Sequence, residues 1–126
     1  MLSSAPVFSS YSVNSLNEAK TFYQQVLGLS VTESPEPMGV LQLQLTGGHN
    51  IIIYPKKNHV PATFTVLNFK VKDVEATVDA LAAKGVVFEH YTGEIQTDAK
   101  GIMRGNGPVI AWFKDPAGNI LSVIQE

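Results

Sequence analysis

Three histidines are the first candidates for chemistry in this sequence, because imidazole binds metals and transfers protons near neutral pH. His49 follows a Gly-Gly pair, His59 lies in a segment rich in proline and lysine, and His90 lies near the end of a predicted strand. Their wide separation favours solvent-facing or hydrogen-bonding histidines. The alternative is a metal site that combines His90 with Glu89 or Glu126. The sequence contains no cysteine, which excludes disulfides, thiolate metal sites and cysteine nucleophiles.

Lys70 and Arg104 are the cations considered for ligand binding. Lys70 lies in an apolar segment, where an ammonium group binds an anion or, once desolvated, acts as a base or Schiff-base nucleophile. We favour anion binding, or a lysine that reaches solvent near its strand end, over catalysis. Arg104 lies in the glycine-rich segment 92–108, a candidate pocket rim or lid, and could close over an acidic ligand, although an exposed loop arginine is the commoner case. No side chain resembles an activated nucleophile, so the catalytic residues stay unassigned.

Two helices are predicted from their end signals. Ser15 with Glu18 three residues later is a capping-box pattern, and Gly28 ends the apolar periodicity that follows. Asp73 is the N-cap of the second helix and Gly85 ends it. The two helix starts are 58 residues apart, which indicates an internal repeat.

Eight segments rich in β-branched and aromatic residues predict strands: 7–13, 29–32, 40–46, 50–54, 65–71, 86–91, 109–114 and 119–124. The element order is then β-α-β-β-β, repeated once. Residues 54–62 read as the linker between the repeats. The prediction is one α+β domain over residues 1–126, with module one at about 1–61 and module two at about 62–126.

The predicted hairpin turns assign side chains to faces. A tight turn at Gly47-Gly48 would pair Gln44 with Ile51 and place Ile51 on the glutamine face. A turn over residues 115–118 would pair Phe113 with Ile120 and Trp112 with Leu121, on the helix-facing side. Trp112 is therefore predicted in the core, and a one-residue bulge would turn it into the pocket instead.

Composition narrows the class of partner. Lys and Arg number 9 and Asp and Glu number 11, so the net charge is −2, which argues against nucleic-acid binding and a polybasic membrane patch. No apolar run approaches the length of about 20 residues that a membrane span needs. The N-terminus lacks a secretory pattern, so we expect a cytoplasmic protein without a membrane partner.

Three short motifs carry a family resemblance: residues 22–29 (FYQQVLGL), 73–76 (DVEA) and 113–119 (FKDPAGN). In this order on a duplicated βαβββ pattern, they resemble the vicinal oxygen chelate superfamily of glyoxalases, bleomycin-resistance proteins and extradiol dioxygenases. The resemblance covers nearly the whole chain. It implies two modules whose mixed sheets curl around a shared cavity, and for a chain of this length it implies a homodimer.

The resemblance also implies where a metal would bind. The four ligand positions of the family's metal enzymes fall on Phe8, Ile51, Val66 and Ser122, of which only the Ser122 hydroxyl is a weak donor. We therefore expect no metal and no cofactor. The pattern is similar to that of the metal-free, ligand-sequestering members, best known from the bleomycin-resistance proteins.

Strand alternation and the resemblance together predict a ligand-binding face with an apolar floor and scattered polar groups. Its residues are Phe8, Ser10, Gln42, Gln44, Ile51, Ile53, Val66, Asn68, Lys70, Phe113 and Ser122. The expected function is reversible capture of a small organic ligand, such as an antibiotic or toxic metabolite. One alternative is a lyase, isomerase or dioxygenase-like enzyme with a displaced metal site or a lysine base. Another is a structural or regulatory module without a small ligand.

Overall fold

The structure, a computed structural model, describes residues 1–48, 50–105 and 107–125. Three positions considered above lie outside the described residues: His49, Glu126 of the alternative metal site, and Asn106 of the glycine-rich segment. The chain divides into two compact units, Met1–Val60 and Pro61–Glu126.

The first unit contains one helix and a four-stranded mixed sheet. The sheet order is β1-β4-β3-β2, with β1 parallel to β4 and the other pairs antiparallel. After a 3₁₀ turn at Leu2–Ser4, its elements are β1 (Ser9–Val13), α1 (Leu16–Thr21) with a π-helical continuation (Phe22–Val26), β2 (Ser30–Glu33), β3 (Leu41–Gln44) and β4 (Asn50–Pro55).

The second unit repeats this topology, with sheet order β5-β8-β7-β6 and β5 parallel to β8. Its elements are β5 (Thr65–Val71), α2 (Val74–Ala83), β6 (Ile102–Met103), β7 (Ile110–Lys114) and β8 (Ile120–Gln125). The predicted α+β class and the repeated β-α-β-β-β order are confirmed. Neither described helix is long and apolar enough to cross a membrane.

The strand predicted at residues 86–91 is wrong. This segment makes an isolated bridge from Phe88 to Phe113, and the N–H of Glu89 donates to the carbonyl of Trp112 at 2.8 Å. Further along the same edge of β7, Ile102 pairs with Ala111 in the short strand β6. Two segments therefore divide one edge of β7, so neither forms a long ladder.

Both helices begin as their caps predict. The Glu18 N–H donates to Ser15 Oγ at 3.3 Å, and the Ala76 N–H donates to Asp73 Oδ1 at 3.0 Å. Each side-chain oxygen satisfies a donor that the first turn leaves unpaired. Gly85 follows α2 with φ of +95°, a conformation that favours glycine.

The end of the first helix widens into a π-helix. The Leu27 N–H donates to the carbonyl of Phe22 at 3.0 Å, five residues earlier. Tyr23 lies within this segment and is fully buried, and its hydroxyl accepts a hydrogen bond of 2.7 Å from the Tyr11 hydroxyl. The π-helical turn therefore belongs to the core of the first unit.

The predicted register of the first hairpin is wrong by one residue. Leu43 pairs with Ile51 and Leu41 with Ile53, because β3 ends at Gln44 and β4 begins opposite it at Asn50. A one-residue slip moves every side chain of a strand to the other face. Ile51 and Ile53 therefore lie on the leucine face, where both are buried.

The second hairpin differs from its prediction in the same way. Phe113 pairs with Leu121 and Trp112 pairs with Ser122. Residues 115–119 all belong to the loop, because the Asp115 N–H donates to the Asn119 carbonyl at 2.9 Å. Phe113 is therefore in the core, and the predicted core position of Trp112 is wrong.

We expect Asp115→Ala to destabilise the second unit. Asp115 is 4% exposed, and its carboxylate accepts hydrogen bonds from the backbone N–H groups of Ala117 and Asn119 at 3.0 and 2.8 Å. Leaving such buried donors unpaired costs about 1–3 kcal/mol. Urea unfolding would measure the loss. Asp115→Asn keeps one side-chain oxygen, so it should lose less, and equal stability of the wild type and the alanine variant would contradict this account of the loop.

Candidate ligand-binding site

The second sheet has a face turned away from its helix. Helix α2 packs against β7 and β8, and Leu121 and Val123 are buried on one side of β8. Side chains alternate across a strand, so the residues between these two belong to the opposite side. We call that side the second open face, and strand pairing assigns to it Asn68, Lys70, Trp112, Ser122 and Ile124.

An aromatic pair lies at the centre of the second open face. Trp112 pairs across the hairpin with Ser122, and the Tyr91 ring meets the indole edge to face, with centroids 5.5 Å apart. The Tyr91 N–H donates to Thr97 Oγ1 at 2.9 Å, which anchors the backbone of Tyr91. Burial, reinforced by the charge of Glu89, raises the pKa of the Tyr91 phenol. The phenol therefore stays neutral at physiological pH.

A polar pair lies beside the indole. The Ser122 hydroxyl donates a hydrogen bond of 2.5 Å to Asn68 Oδ1, and Asn68 is exposed while Ser122 is fully buried. Lys70 lies two residues further along β5 and is also exposed. The second open face thus combines a flat apolar surface, an amide and a cation.

The corresponding first open face is more polar. Strand pairing places Ser10 beside Ile52 and Ser12 beside Tyr54, with Gln42 beyond Ile52. Ser12 Oγ and His59 Nδ1 are 2.7 Å apart, so the linker histidine contacts the end of this sheet. Hydroxyl, amide and imidazole groups give this face hydrogen-bonding capacity beside the Tyr54 ring.

Six of the predicted site residues lie on the two open faces: Ser10, Gln42, Gln44, Asn68, Lys70 and Ser122. Ile51, Ile53 and Phe113 are instead buried on the helix-facing sides. Val66 lies at a register shift between Thr65 and Leu67, and Phe8 precedes β1 and is 63% exposed.

Sequence reasoning missed four residues of the open faces: Ile52, Tyr54, Tyr91 and Trp112. Three of them follow from the strand pairing, because pairing Gln42 with Ile52 and Trp112 with Ser122 places Ile52, Tyr54 and Trp112 on the open faces. The Asp115 side chain, which accepts from the N–H groups two and four residues later, is the local signal for the longer second loop. No sequence feature indicated that Tyr91 would contact Trp112.

Arg104 does not act as a free lid arginine. Its guanidinium contacts Glu75 at 2.7 Å and Asp98 at 3.3 Å, and Lys100 contacts Glu75 and Asp79 at 3.0 Å each. These contacts tie residues 98–104 to the exposed side of α2. Arg104 is thus an exposed loop arginine held by ion pairs, and its closure over an acidic ligand stays a prediction.

This ion-pair cluster predicts a pH dependence of stability. Hydrogen bonds and charges of Lys100 and Arg104 lower the pKa of Glu75. For Asp98, burial acts in the opposite direction but is outweighed by hydrogen bonds from Ile102, Lys100 and Arg104, so its pKa is also lowered. A carboxylate with a depressed folded-state pKa stabilises the fold above its unfolded pKa, and this contribution disappears as the pH falls below about 4.

We therefore expect Glu75→Gln to lower the melting temperature at pH 7 and to have a much smaller effect at about pH 2, because the contribution of Glu75 is lost as the pH falls towards its depressed folded-state pKa. Thermal unfolding across this pH range would test the difference. Because the groups are exposed, 1 M salt should reduce it. Glu94→Gln removes an exposed carboxylate from the same unit and serves as the control. An equal effect of Glu75→Gln at both pH values would contradict the role of the ion pairs.

Comparison with known proteins identifies the family of this chain. A family model described as the Glyoxalase/Bleomycin resistance protein/Dioxygenase superfamily matches residues 7–123. The chain belongs to this superfamily. The family predicted from the three motifs is thus confirmed. A comparison with curated protein sequences finds no significant match.

Solved structures share the glyoxalase-type fold. TnmS3, an antibiotic binding protein from Streptomyces sp. CB03234, superposes with a TM-score of 0.70 at 21% identity, over 97% of each chain. A glyoxalase/bleomycin resistance protein from the same source gives 0.65 at 22% identity, over 94% of this chain and 100% of the other. Lactoylglutathione lyase from Agrobacterium tumefaciens gives 0.66 at 19% identity, over 96% and 93%. At these identities the likeness establishes the fold.

The metal positions of the glyoxalase superfamily do not fit a divalent ion in this chain. Phe8 and Val66 offer no donor, and Ile51 lies on the helix-facing side of its sheet. Ile52, which replaces it on the first open face, offers none either. Ser122 uses its hydroxyl proton for Asn68. Within residues 1–48, 50–105 and 107–125, no three His, Cys, Asp or Glu side chains group closely enough to hold a metal.

Proposed function

We propose that this glyoxalase-superfamily chain binds a planar aromatic small molecule reversibly and without a metal, on the second open face. The observation that carries the proposal is the edge-to-face pair of Trp112 and Tyr91 on a sheet face that also presents Asn68. A ring stacked on the half-buried indole gains apolar burial and favourable quadrupole contacts. The neighbouring amide supplies orientation, as polar groups do in small-molecule sites.

The biological role we propose is sequestration of an antibiotic or a toxic metabolite. The similarity of the fold to TnmS3, described as an antibiotic binding protein, supports testing antibiotics first. Capture needs no nucleophile or metal, and the residues at the superfamily's metal positions suit such a role. The homodimer and the cytoplasmic location stay predictions.

The enzymatic alternative has less support. For a displaced metal site, His90 Nε2 is 3.0 Å from the Ala99 carbonyl oxygen, and Glu89 is 3.5 Å from the Lys114 ammonium. Both candidate ligands therefore have other partners. For a lysine base, Lys70 is exposed rather than enclosed in an apolar pocket.

Calorimetric titration with two ring-matched probes tests the proposal. The first probe is 2-acetylnaphthalene, and the second is its saturated counterpart 2-acetyldecalin, which carries the same ketone. We expect saturable binding of the aromatic probe, with quenching of the single tryptophan, and weaker binding of the saturated one. Treatment with a chelator should change neither result. Absence of binding, or equal binding of both probes, would refute the proposal.

A further inference from the structure

The orientation of the Asn68 amide is fixed by a buried hydroxyl. Ser122 is 0% exposed, and its Oγ donates to Asn68 Oδ1 at 2.5 Å. This distance is at the short end of the range for O–H···O contacts and below the range for N–H···O contacts. Because the two residues also face each other across the parallel pair of β5 and β8, the contact is built into the register of the sheet.

This contact decides which end of the amide meets a ligand. An asparagine side chain has one acceptor oxygen and one NH₂ group with two donors. Ser122 occupies the oxygen end, so the exposed end of Asn68 is the NH₂ group. A ligand beside Asn68 therefore meets hydrogen-bond donors.

The donor end lies in the same row as the aromatic surface. Asn68, Ser122 and Trp112 lie side by side on three neighbouring strands. Neighbouring strands are about 4.8 Å apart, so Asn68 and Trp112 are separated by roughly 10 Å across the sheet. A bicyclic ring stacked on the indole can thus place a substituent at the amide.

We infer that the buried Ser122 makes Asn68 a specificity-determining donor, so that this face selects planar aromatic ligands with a carbonyl-type acceptor oxygen at the ring edge. Aryl ketones, quinones and aromatic acids are ligands of this class. The inference rests on the proposed function, because it assigns the ligand class of the same face. Asn68 contacts the ligand, and Ser122 is a positioning residue that acts through Asn68.

Three probes with the same ring test the selection by calorimetry: 2-acetylnaphthalene offers an acceptor, 2-naphthylamine is mainly a donor, and 2-ethylnaphthalene offers neither. A hydrogen bond to a neutral acceptor should make the ketone bind about 3- to 10-fold more tightly than the ethyl compound. Equal binding of all three would overturn the inference while leaving the aromatic binding of the proposed function intact. Binding of none would refute the proposed function itself.

Two variants separate the contact from the positioning. Asn68→Asp replaces the exposed donor by an acceptor while Ser122 keeps its partner, so the preference should invert in favour of the amine. Ser122→Ala frees the amide to turn over, so the ketone's advantage should shrink while the affinity for 2-ethylnaphthalene stays unchanged. A melting curve confirms that each variant is folded.

A charge-matched control completes the experiment. Asn17→Asp adds the same charge on the exposed surface of α1 and should leave the ratio of ketone to ethyl affinity unchanged. An unchanged ratio in Asn68→Asp would overturn the role of Asn68. A wild-type ratio in Ser122→Ala would overturn the positioning by Ser122.

Discussion

Replacing Trp112 by alanine should weaken the binding of 2-acetylnaphthalene by roughly 10- to 100-fold, because stacking of a ring on an aromatic side chain is worth about 1–3 kcal/mol. Trp112 is half-buried and lies on the open side of its strand, so the cost to folding should be smaller than for a core aromatic residue. We expect the free energy of unfolding to fall by only about 1–2 kcal/mol. Calorimetry measures the binding, and urea unfolding measures the stability.

Trp112→Phe is the matched control for this variant. It keeps a flat aromatic ring at the same position, so it should retain most of the affinity and support the contact with Tyr91. If Trp112→Ala bound the ketone as tightly as the wild type, the ligand would have to lie elsewhere. If binding were lost only because the variant unfolds, the melting curve would reveal it.

Replacing Phe113, the next residue, by alanine should have the opposite effect, with a large loss of stability and little loss of ligand affinity. Phe113 is 1% exposed and packs edge to face against Phe88, with ring centroids 5.4 Å apart. Truncating a buried phenylalanine costs about 3–5 kcal/mol. Urea unfolding should show this loss, while the protein that stays folded should bind 2-acetylnaphthalene with nearly the wild-type affinity.

Phe113→Leu provides a graded control, because it keeps most of the buried apolar volume and should lose less stability than the alanine variant. The comparison of neighbouring residues tests the register of the β7–β8 hairpin directly. A large loss of affinity with little loss of stability in Phe113→Ala would mean that the sequence-based register, with Phe113 on the ligand face, is the correct one.

The sequence was sufficient for the parts of the fold that local chemistry determines. Ser15 and Asp73 each cap a helix through contacts with a residue three positions later, so no distant part of the chain is needed to recognise them. The strand at Thr65–Val71 has the predicted bounds, because its apolar and polar residues alternate between two flanking signals. The repeated β-α-β-β-β order was also predicted, although the strand after α2 is Ile102–Met103 and not residues 86–91.

The sequence was not sufficient to predict which side chains of each hairpin face the core. In each hairpin, the sequence patterns of the two strands are compatible with connections whose lengths differ by one residue. The difference of one residue decides whether Ile51 and Phe113 belong to the core or to the open side. Apolar side chains occur on both sides of these strands, so hydrophobicity did not distinguish the two registers.

Contacts between residues that are distant in the chain could not be predicted from the sequence either. Ser12 and His59 are 47 positions apart, and Arg104 and Glu75 are 29 apart. Their types permit many partners, and only the folded backbone selects one. The candidate site therefore needed the structure for its aromatic centre, although Asn68, Lys70 and Ser122 were predicted from alternation together with the family resemblance.

The π-helical turn at Phe22–Val26 has a consequence for tolerance of deletions. An α-helix turns by about 100° per residue, so one added residue must either widen a turn or rotate everything beyond it. Here the widened turn accommodates the extra residue and keeps Tyr23 pointing into the core. Gln24 and Gln25 are both exposed. Removing either one should thus convert this turn into an ordinary α-helix and leave one residue fewer between Tyr23 and Gly28. A deletion of one residue at this turn should therefore leave Tyr23 in the core of the first unit.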